Sequence, residues 1–140
     1  MNPTLFLRIA SILTFIHCTL HTIGGVFGKP KHGAPEIAVL DTMKSQRFDF
    51  MGSMRSYHDF LFGYGLAVTV TLLVQGMLFW QLGNMIKSNP AVVRPIVALF
   101  FVNCLLTAVV SWKYFFIGPA ITQILIALSL ALSFMMAASA

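Results

Sequence analysis

Charged side chains are scarce in this chain of 140 residues, and acidic side chains are almost absent. Only 9% of the residues are charged, whereas 58% are hydrophobic. A water-soluble domain carries about a quarter charged residues. This composition excludes a soluble globular domain and indicates an integral membrane protein.

The sequence also lacks the motifs of soluble enzymes and of nucleic-acid-binding domains. It contains no GxSxG, P-loop, GxGxxG or CxxC pattern, and its Lys and Arg residues flank apolar runs without forming a basic stripe with interleaved aromatic residues. The basic residues fit anionic lipid headgroups instead, so we expect the lipid bilayer as a partner and no nucleic acid. The two cysteines, Cys18 and Cys104, fall in mid-run and behave there as small apolar residues.

Four apolar runs are each long enough to cross a bilayer, which takes ~20 residues per helix. The sequence therefore predicts an all-α, integral membrane, four-helix up-and-down bundle, because the short links between the later runs favour antiparallel neighbours. It predicts one transmembrane domain over residues 1–140. The predicted spans lie at about 4–26, 57–86, 91–112 and 119–138.

One long connection, residues 29–56, separates the first two spans and is predicted to form a cap. Pro35 and Glu36 are typical of a helix start, which predicts a short interfacial helix at about 35–45. Residues 46–51 are expected to be irregular, with Phe48 and Phe50 as membrane anchors. The four acidic residues fall inside or next to this segment: Glu36, Asp41, Asp49 and Asp59.

Polar residues are predicted to meet at the cap end of the bundle. If successive spans run in opposite directions, four span ends lie at one level in the membrane. These are the end of the first span, the start of the second, the end of the third and the start of the fourth. Polar groups facing lipid would cost several kcal/mol each, so they should face one another or a common ligand. The predicted ligand-binding residues are His17, His21, Arg47, Asp49, Arg55, Tyr57, His58, Asp59, Asn103, Ser111, Trp112 and Gln123.

Two histidines of the first span, His17 and His21, are four residues apart and share one face of an α-helix. Three interpretations stay open. They can bind backbone carbonyls and hydroxyls, they can ligate a metal together with His58, or two histidines can hold a haem between helices.

Asp59 and the arginines before it also allow two interpretations. Arg55 and Asp59 are four residues apart, as in a local ion pair at a helix start. Alternatively Asp59 orients His21 or His58 as an acid–base pair, and these three are the catalytic candidates. Arg47 and Arg55 are either contacts for headgroups or a clamp for an anion.

Three sequence blocks lie in the cap and next to it: MKSQRFDFMG at 43–52, RSYHDF at 55–60 and HTIGG at 21–25. Together they resemble a family of small bacterial four-helix membrane proteins without an assigned function, and the similarity covers roughly the first half of the chain. The resemblance implies a four-helix fold and a bacterial, multi-pass inner-membrane protein, and it implies no activity.

Three functions follow as hypotheses from these observations. The first is binding of a lipophilic small molecule of the lipid, quinone or isoprenoid type in a polar pocket under the cap, with or without acid–base chemistry. The second is a structural or assembly subunit, in a homo-oligomer or a larger membrane complex. The third is a haem or metal carrier that uses two histidines.

Overall fold

The structure, a computed structural model, describes residues 2–137 and confirms the prediction of an all-α chain. Helices account for 81% of it. The elements are α1 (Pro3–Leu20), a π-helix (His21–Val26), α2 (Ala34–Ser45), β1 (Arg47–Phe50), β2 (Ser53–Ser56), α3 (Tyr57–Met85), α4 (Pro90–Tyr114) and α5 (Ile117–Met136).

Four of the helical segments are long and apolar enough to cross a membrane. No more than 39% of the most apolar stretch of any of them is buried, so most of their large apolar side chains face outward, as suits helices surrounded by lipid. These segments are Pro3–Val26, Tyr57–Met85, Pro90–Tyr114 and Ile117–Met136. Residue 138, the predicted end of the fourth span, lies outside the described residues.

The first helix begins as the sequence indicates and ends in an unexpected way. Asn2 accepts a hydrogen bond of 3.1 Å from the backbone N–H of Thr4, which satisfies one of the free donors at the helix start. From His21 to Val26 the helix widens into a π-helix, and the Phe27 N–H binds the Thr22 carbonyl five residues earlier. The α-helical spacing that places residues on one face therefore does not continue beyond His21.

Residues 47–56 form a β-hairpin, so the prediction that 46–51 would be irregular is wrong. Strands β1 and β2 pair antiparallel, with Phe48 opposite Arg55. The turn uses Met51 at φ 53° and Gly52 at φ 83°, the two positive φ values that a tight two-residue hairpin turn requires. The Met-Gly pair lacks the Asn or Asp that usually signals such a turn, which is why the pattern was missed.

The chain divides into two compact units, which we call the split unit and the central unit. The split unit comprises residues up to Cys18 together with those from Leu72 onward, and the central unit is Thr19–Thr71. Both α1 and α3 contribute residues to each unit.

In the split unit, small and polar residues join neighbouring helices. Ser11 on α1 donates to the Gly76 carbonyl on α3 at 2.7 Å, and Ser133 on α5 donates to the Pro3 carbonyl at 3.0 Å. Helices α4 and α5 follow each other after a two-residue link and pack as a helical hairpin. The fully buried apolar side chains of this unit include Leu7, Phe79, Ile86, Val93, Val97, Ile126 and Leu130.

Aromatic contacts join the hairpin to the start of α3 in the central unit. The ring of Phe48 lies 5.1 Å from Tyr57 and 6.3 Å from Phe60, and Phe50 lies 5.1 Å from Phe60. The two phenylalanines of β1, expected to be membrane anchors, therefore also pack on α3, since aromatic pairs favour these distances.

Candidate functional site

The predicted site residues fall in both units. His17, Asn103, Ser111, Trp112 and Gln123 belong to the split unit, and the others belong to the central unit, namely His21, Arg47, Asp49, Arg55, Tyr57, His58 and Asp59.

His17 and Gln123 form a polar pair between α1 and α5. The side-chain amide of Gln123 lies 3.5 Å from Nδ1 of His17. Gln123 is 4% exposed, and it sits six residues inside an apolar helix. The pair is therefore a part-buried polar contact between two apolar helices. Sequence spacing along either helix alone could not show that these two side chains meet.

Gln123 has an unmet hydrogen-bonding group. Its carbonyl oxygen, Oε1, is buried and has no partner among the residues that the structure describes. A buried acceptor without a donor costs about 1–3 kcal/mol, so native proteins fill such places with a protein group, a water or a ligand. This oxygen can take a hydrogen bond from a hydroxyl group.

His21 bonds to the backbone of α3. Its Nε2 lies 3.0 Å from the Gly65 carbonyl, and the next residue, Thr22, has its hydroxyl 3.0 Å from that of Thr69. The absence of a side chain at Gly65 allows the π-helix to lie this close to α3, because a Cβ added at Gly65 would lie 2.9 Å from Cγ2 of Val26. The contact is the backbone-carbonyl arrangement that the sequence left open for the histidines.

Asp59 belongs to a helix cap, and the predicted helical pair of Arg55 and Asp59 does not form. Asp59 accepts from the Ser56 N–H at 2.8 Å, and the Asp59 N–H donates to the Ser56 hydroxyl at 3.2 Å. This reciprocal bonding is a capping box for α3. Arg55 lies in β2, before the helix begins, so helical spacing does not bring it to Asp59. The ion pair of Asp59 is with Arg47, at 4.0 Å, and both side chains are largely exposed, which makes the pair worth little.

Arg47 and Arg55 meet at one backbone oxygen. Arg47 donates to the Met54 carbonyl at 2.9 Å, and Arg55 donates to the same oxygen at 3.1 Å. Two guanidinium groups that share one acceptor lie close together, and their remaining N–H groups could hold an anion at the exposed edge of the hairpin. This geometry is compatible with the predicted anion clamp.

The other predicted residues of the central unit are more peripheral. His58 stacks on Phe62 with ring centres 6.2 Å apart, and Tyr57 is exposed against Phe48. Asp49 is exposed on β1 opposite Met54.

The three predicted ligand-binding residues of α4 do not share one buried face. Ser111 is buried, whereas Asn103 and Trp112 are exposed. The buried face of α4 instead runs through Val93, Val97, Cys104, Ala108 and Ser111. Asn103 is one residue off this face, so it does not extend a buried polar row with Ser111.

Sequence reasoning missed three features of the site. The π-helix places Thr22 and Gly25 differently from an α-helix, the capping role of Ser56 depends on where α3 begins, and the contact of His21 with the Gly65 carbonyl joins residues 44 positions apart. The signal for the cap was present, because Ser56-x-x-Asp59 is a capping-box spacing. Within residues 2–137, no group of three or more His, Cys, Asp or Glu side chains is arranged to hold a metal ion.

No protein-family model matches this chain, and no curated protein or solved structure shows significant similarity to it.

Proposed function

We propose that this chain is a multi-pass membrane protein, a four-helix bundle with residues 29–56 as its cap, that binds a lipophilic small molecule. The ligand class is a lipid, quinone or isoprenoid that carries a hydroxyl group, with a quinone bound in its reduced form. The observation that carries the proposal is the buried Gln123 oxygen without a donor, beside His17.

A hydroxyl group suits this place for a chemical reason. It donates to the Gln123 oxygen and can accept from an N–H of the same polar pair. The apolar remainder of the ligand would lie among aliphatic and aromatic side chains, which line most small-molecule sites. The contacts of His21 with Gly65 and of Asp59 with Ser56 engage two of the catalytic candidates in structural bonds, so the proposal is for binding and not for catalysis.

The first experiment is native mass spectrometry of the protein purified from membranes in mild detergent. We expect an additional mass on the wild-type protein, and we expect Gln123→Leu to lose it. Gln75→Leu is the matched control, because Gln75 is also a buried glutamine in an apolar helix, 7% exposed, and its amide lies 3.9 Å from the Cys104 sulfur. Equal retention by the two variants would contradict the proposal.

A second experiment uses farnesol as the probe and its methyl ether as the comparison. The ether keeps the hydrocarbon and the oxygen but cannot donate a hydrogen bond. We expect the wild-type protein to bind farnesol about five-fold more tightly than the ether, the equivalent of one hydrogen bond. In Gln123→Leu the two probes should bind alike. A wild-type protein that binds neither probe and carries no additional mass would count against the proposal.

An assembly subunit is the second candidate, supported by Gly63 on α3. This glycine is exposed, and a Cβ added there would meet nothing within 4 Å. Small residues on an outward face allow another transmembrane helix to approach closely. Cross-linking in intact membranes distinguishes the candidates, because Gly63→Leu should abolish a specific cross-linked complex only if α3 packs on a partner there.

A further inference from the structure

The split unit contains basic side chains and no acidic ones. Its Lys and Arg residues are Arg8, Lys87, Arg94 and Lys113, whereas all four acidic residues of the chain belong to the central unit. The ion pairs found within residues 2–137, His32 with Glu36 and Arg47 with Asp59, are likewise in the central unit. The cations of the split unit therefore have no carboxylate side chain within their own unit.

Arg94 on α4 is the cation whose surroundings most resemble a binding site. It is half-buried, and its Nε is buried without an acceptor among the described residues. The central carbon of its guanidinium lies 4.4 Å from the centre of the Phe134 ring. A guanidinium stacked by its face keeps its N–H edge available, and that edge matches two oxygens of a phosphate.

Arg8 also has a buried nitrogen without an acceptor, Nη1, but it differs from Arg94 because its guanidinium makes a side-chain hydrogen bond within the protein. Its guanidinium stacks 3.4 Å from the centre of the Trp80 ring, and one of its N–H groups donates to the Asn84 side chain. Arg8 thus contributes to packing between α1 and α3, and Arg94 is the better candidate for an external anion.

Arg94 lines an open groove of about 390 Å³ whose other walls are apolar. The lining residues are Ala91, Arg94, Pro95, Ala98 and Phe134. The two alanines leave the groove wide, and Pro95, inside α4, has no N–H to offer to the Ala91 carbonyl four residues earlier. A charged group at one wall of an apolar groove suits a ligand with an anionic head and a hydrocarbon chain.

The position along the helix also fits a lipid headgroup. Arg94 is four residues after Pro90, the first residue of α4, which places it about 6 Å along the helix axis from that end. In a helix that spans a bilayer, a residue this close to the helix end lies near the lipid headgroups, and basic pockets between transmembrane helices bind anionic headgroups.

We propose that this groove binds one anionic phospholipid. The phosphate binds the Arg94 guanidinium, and the first methylene groups of an acyl chain lie against Phe134 and Ala98. This site is separate from the His17–Gln123 pair and does not depend on the proposed function.

The test is native mass spectrometry of delipidated protein in detergent with equal amounts of phosphatidylglycerol and phosphatidylcholine. We expect the wild-type protein to retain phosphatidylglycerol in preference to phosphatidylcholine. Arg94→Gln should lower the retention of phosphatidylglycerol about ten-fold, which corresponds to the loss of one charged hydrogen-bonded contact. Lys87→Gln is the matched control, because it removes the same charge from an exposed position just before α4. Its retention should be unchanged.

Two further measurements keep the result independent of the folding of Arg94→Gln. Ala98→Leu retains Arg94 but fills the groove, and it should also lose the lipid. Inorganic phosphate in excess should leave the bound lipid in place, because phosphate lacks the acyl chain. The proposal is overturned if wild type shows no preference between the lipids, if Lys87→Gln loses as much lipid as Arg94→Gln, or if inorganic phosphate alone displaces the lipid.

Discussion

The hydroxyl of Ser11 on α1 and the backbone carbonyl of Gly76 on α3 are joined by a buried hydrogen bond of 2.7 Å. The ring of Phe15 covers the same glycine, and a Cβ added to Gly76 would lie 2.8 Å from Cε1 of that ring. Small residues let transmembrane helices approach this closely, and interhelical hydrogen bonds then stabilise the contact. The glycine is therefore required by the distance between two helices and not by its backbone conformation.

Gly76→Val should destabilise the protein by about 1–3 kcal/mol, because the added side chain must displace Phe15. Thermal unfolding in detergent measures this loss, with the reaction of the two buried thiols, Cys18 and Cys104, with a fluorescent maleimide as the signal. Gly63→Val is the matched control on the same helix, since nothing lies within 4 Å of a Cβ at that position. A control variant that unfolds as early as Gly76→Val would contradict the packing explanation.

Gly28→Ala should disrupt the end of the π-helix. A Cβ at Gly28 would overlap the Gly24 carbonyl oxygen, whereas a Cβ at Gly24 would meet nothing within 4 Å. We expect the Phe27 amide, which binds the Thr22 carbonyl, to exchange its hydrogen at least about ten-fold faster in Gly28→Ala, because the local structure must open.

Gly24→Ala is the control for that experiment and should leave exchange at Phe27 unchanged or slower, since alanine favours helix over glycine. If the two alanine variants exchange alike, the close approach of Gly28 to Gly24 does not shape this segment.

Ser56→Ala should cost about 1 kcal/mol, the typical value for an N-terminal helix cap. Ser56 is 2% exposed, and its backbone and hydroxyl both bond to Asp59, so the variant also leaves the Asp59 N–H without its acceptor. Hydrogen exchange over the first turn of α3 reports the change. Ser53→Ala, at the other end of β2, should have no effect there, and a similar increase in exchange in both variants would exclude capping as the cause.

Acidification should loosen the loop before α2. Backbone N–H groups of His32 and then Lys31 hold the pKa of the Glu36 carboxyl below its ordinary value, and both bonds are 2.7 Å long. The folded loop favours the carboxylate form of Glu36. The contribution of this carboxylate to the stability of the loop is therefore present above the pKa that Glu36 has in the unfolded chain, and it disappears as the pH falls through the pKa that Glu36 has in the folded loop.

The measurement is the amide chemical shift of His32 as a function of pH. The ring of His32 itself lies 3.2 Å from the same Glu36 oxygen, so His32→Asn is needed to separate imidazole titration from carboxylate titration. Glu36→Gln should remove the acidic transition. A transition of the same midpoint in Glu36→Gln would show that another group is responsible.

The helical segments could be predicted because hydropathy is a local property. Each apolar run is continuous, and a proline near its start, such as Pro3 or Pro90, marks where the helix begins. The hairpin at 47–56 could not be predicted in this way, since its turn depends on positive φ angles at Met51 and Gly52 and its strands on contacts of Phe48 and Phe50 with α3.

The candidate site was only partly predictable. Composition and span order identify polar residues in apolar helices, but a one-dimensional pattern does not show which side chains meet. Asp59 illustrates this: its spacing from Arg55 indicated a helical ion pair, whereas the start of α3 at Tyr57 makes Ser56 its partner.

The sequence by itself determined the helical class, the four long apolar segments and the concentration of acidic residues near residues 36–59, because composition and hydropathy are properties of each segment separately. Only the tertiary structure decided the partners: Gln123 with His17, His21 with Gly65, and Arg94 with Phe134 in an apolar groove. The physical reason is that hydrogen bonds and ring contacts form between residues far apart in the chain, whose distances depend on how the helices pack.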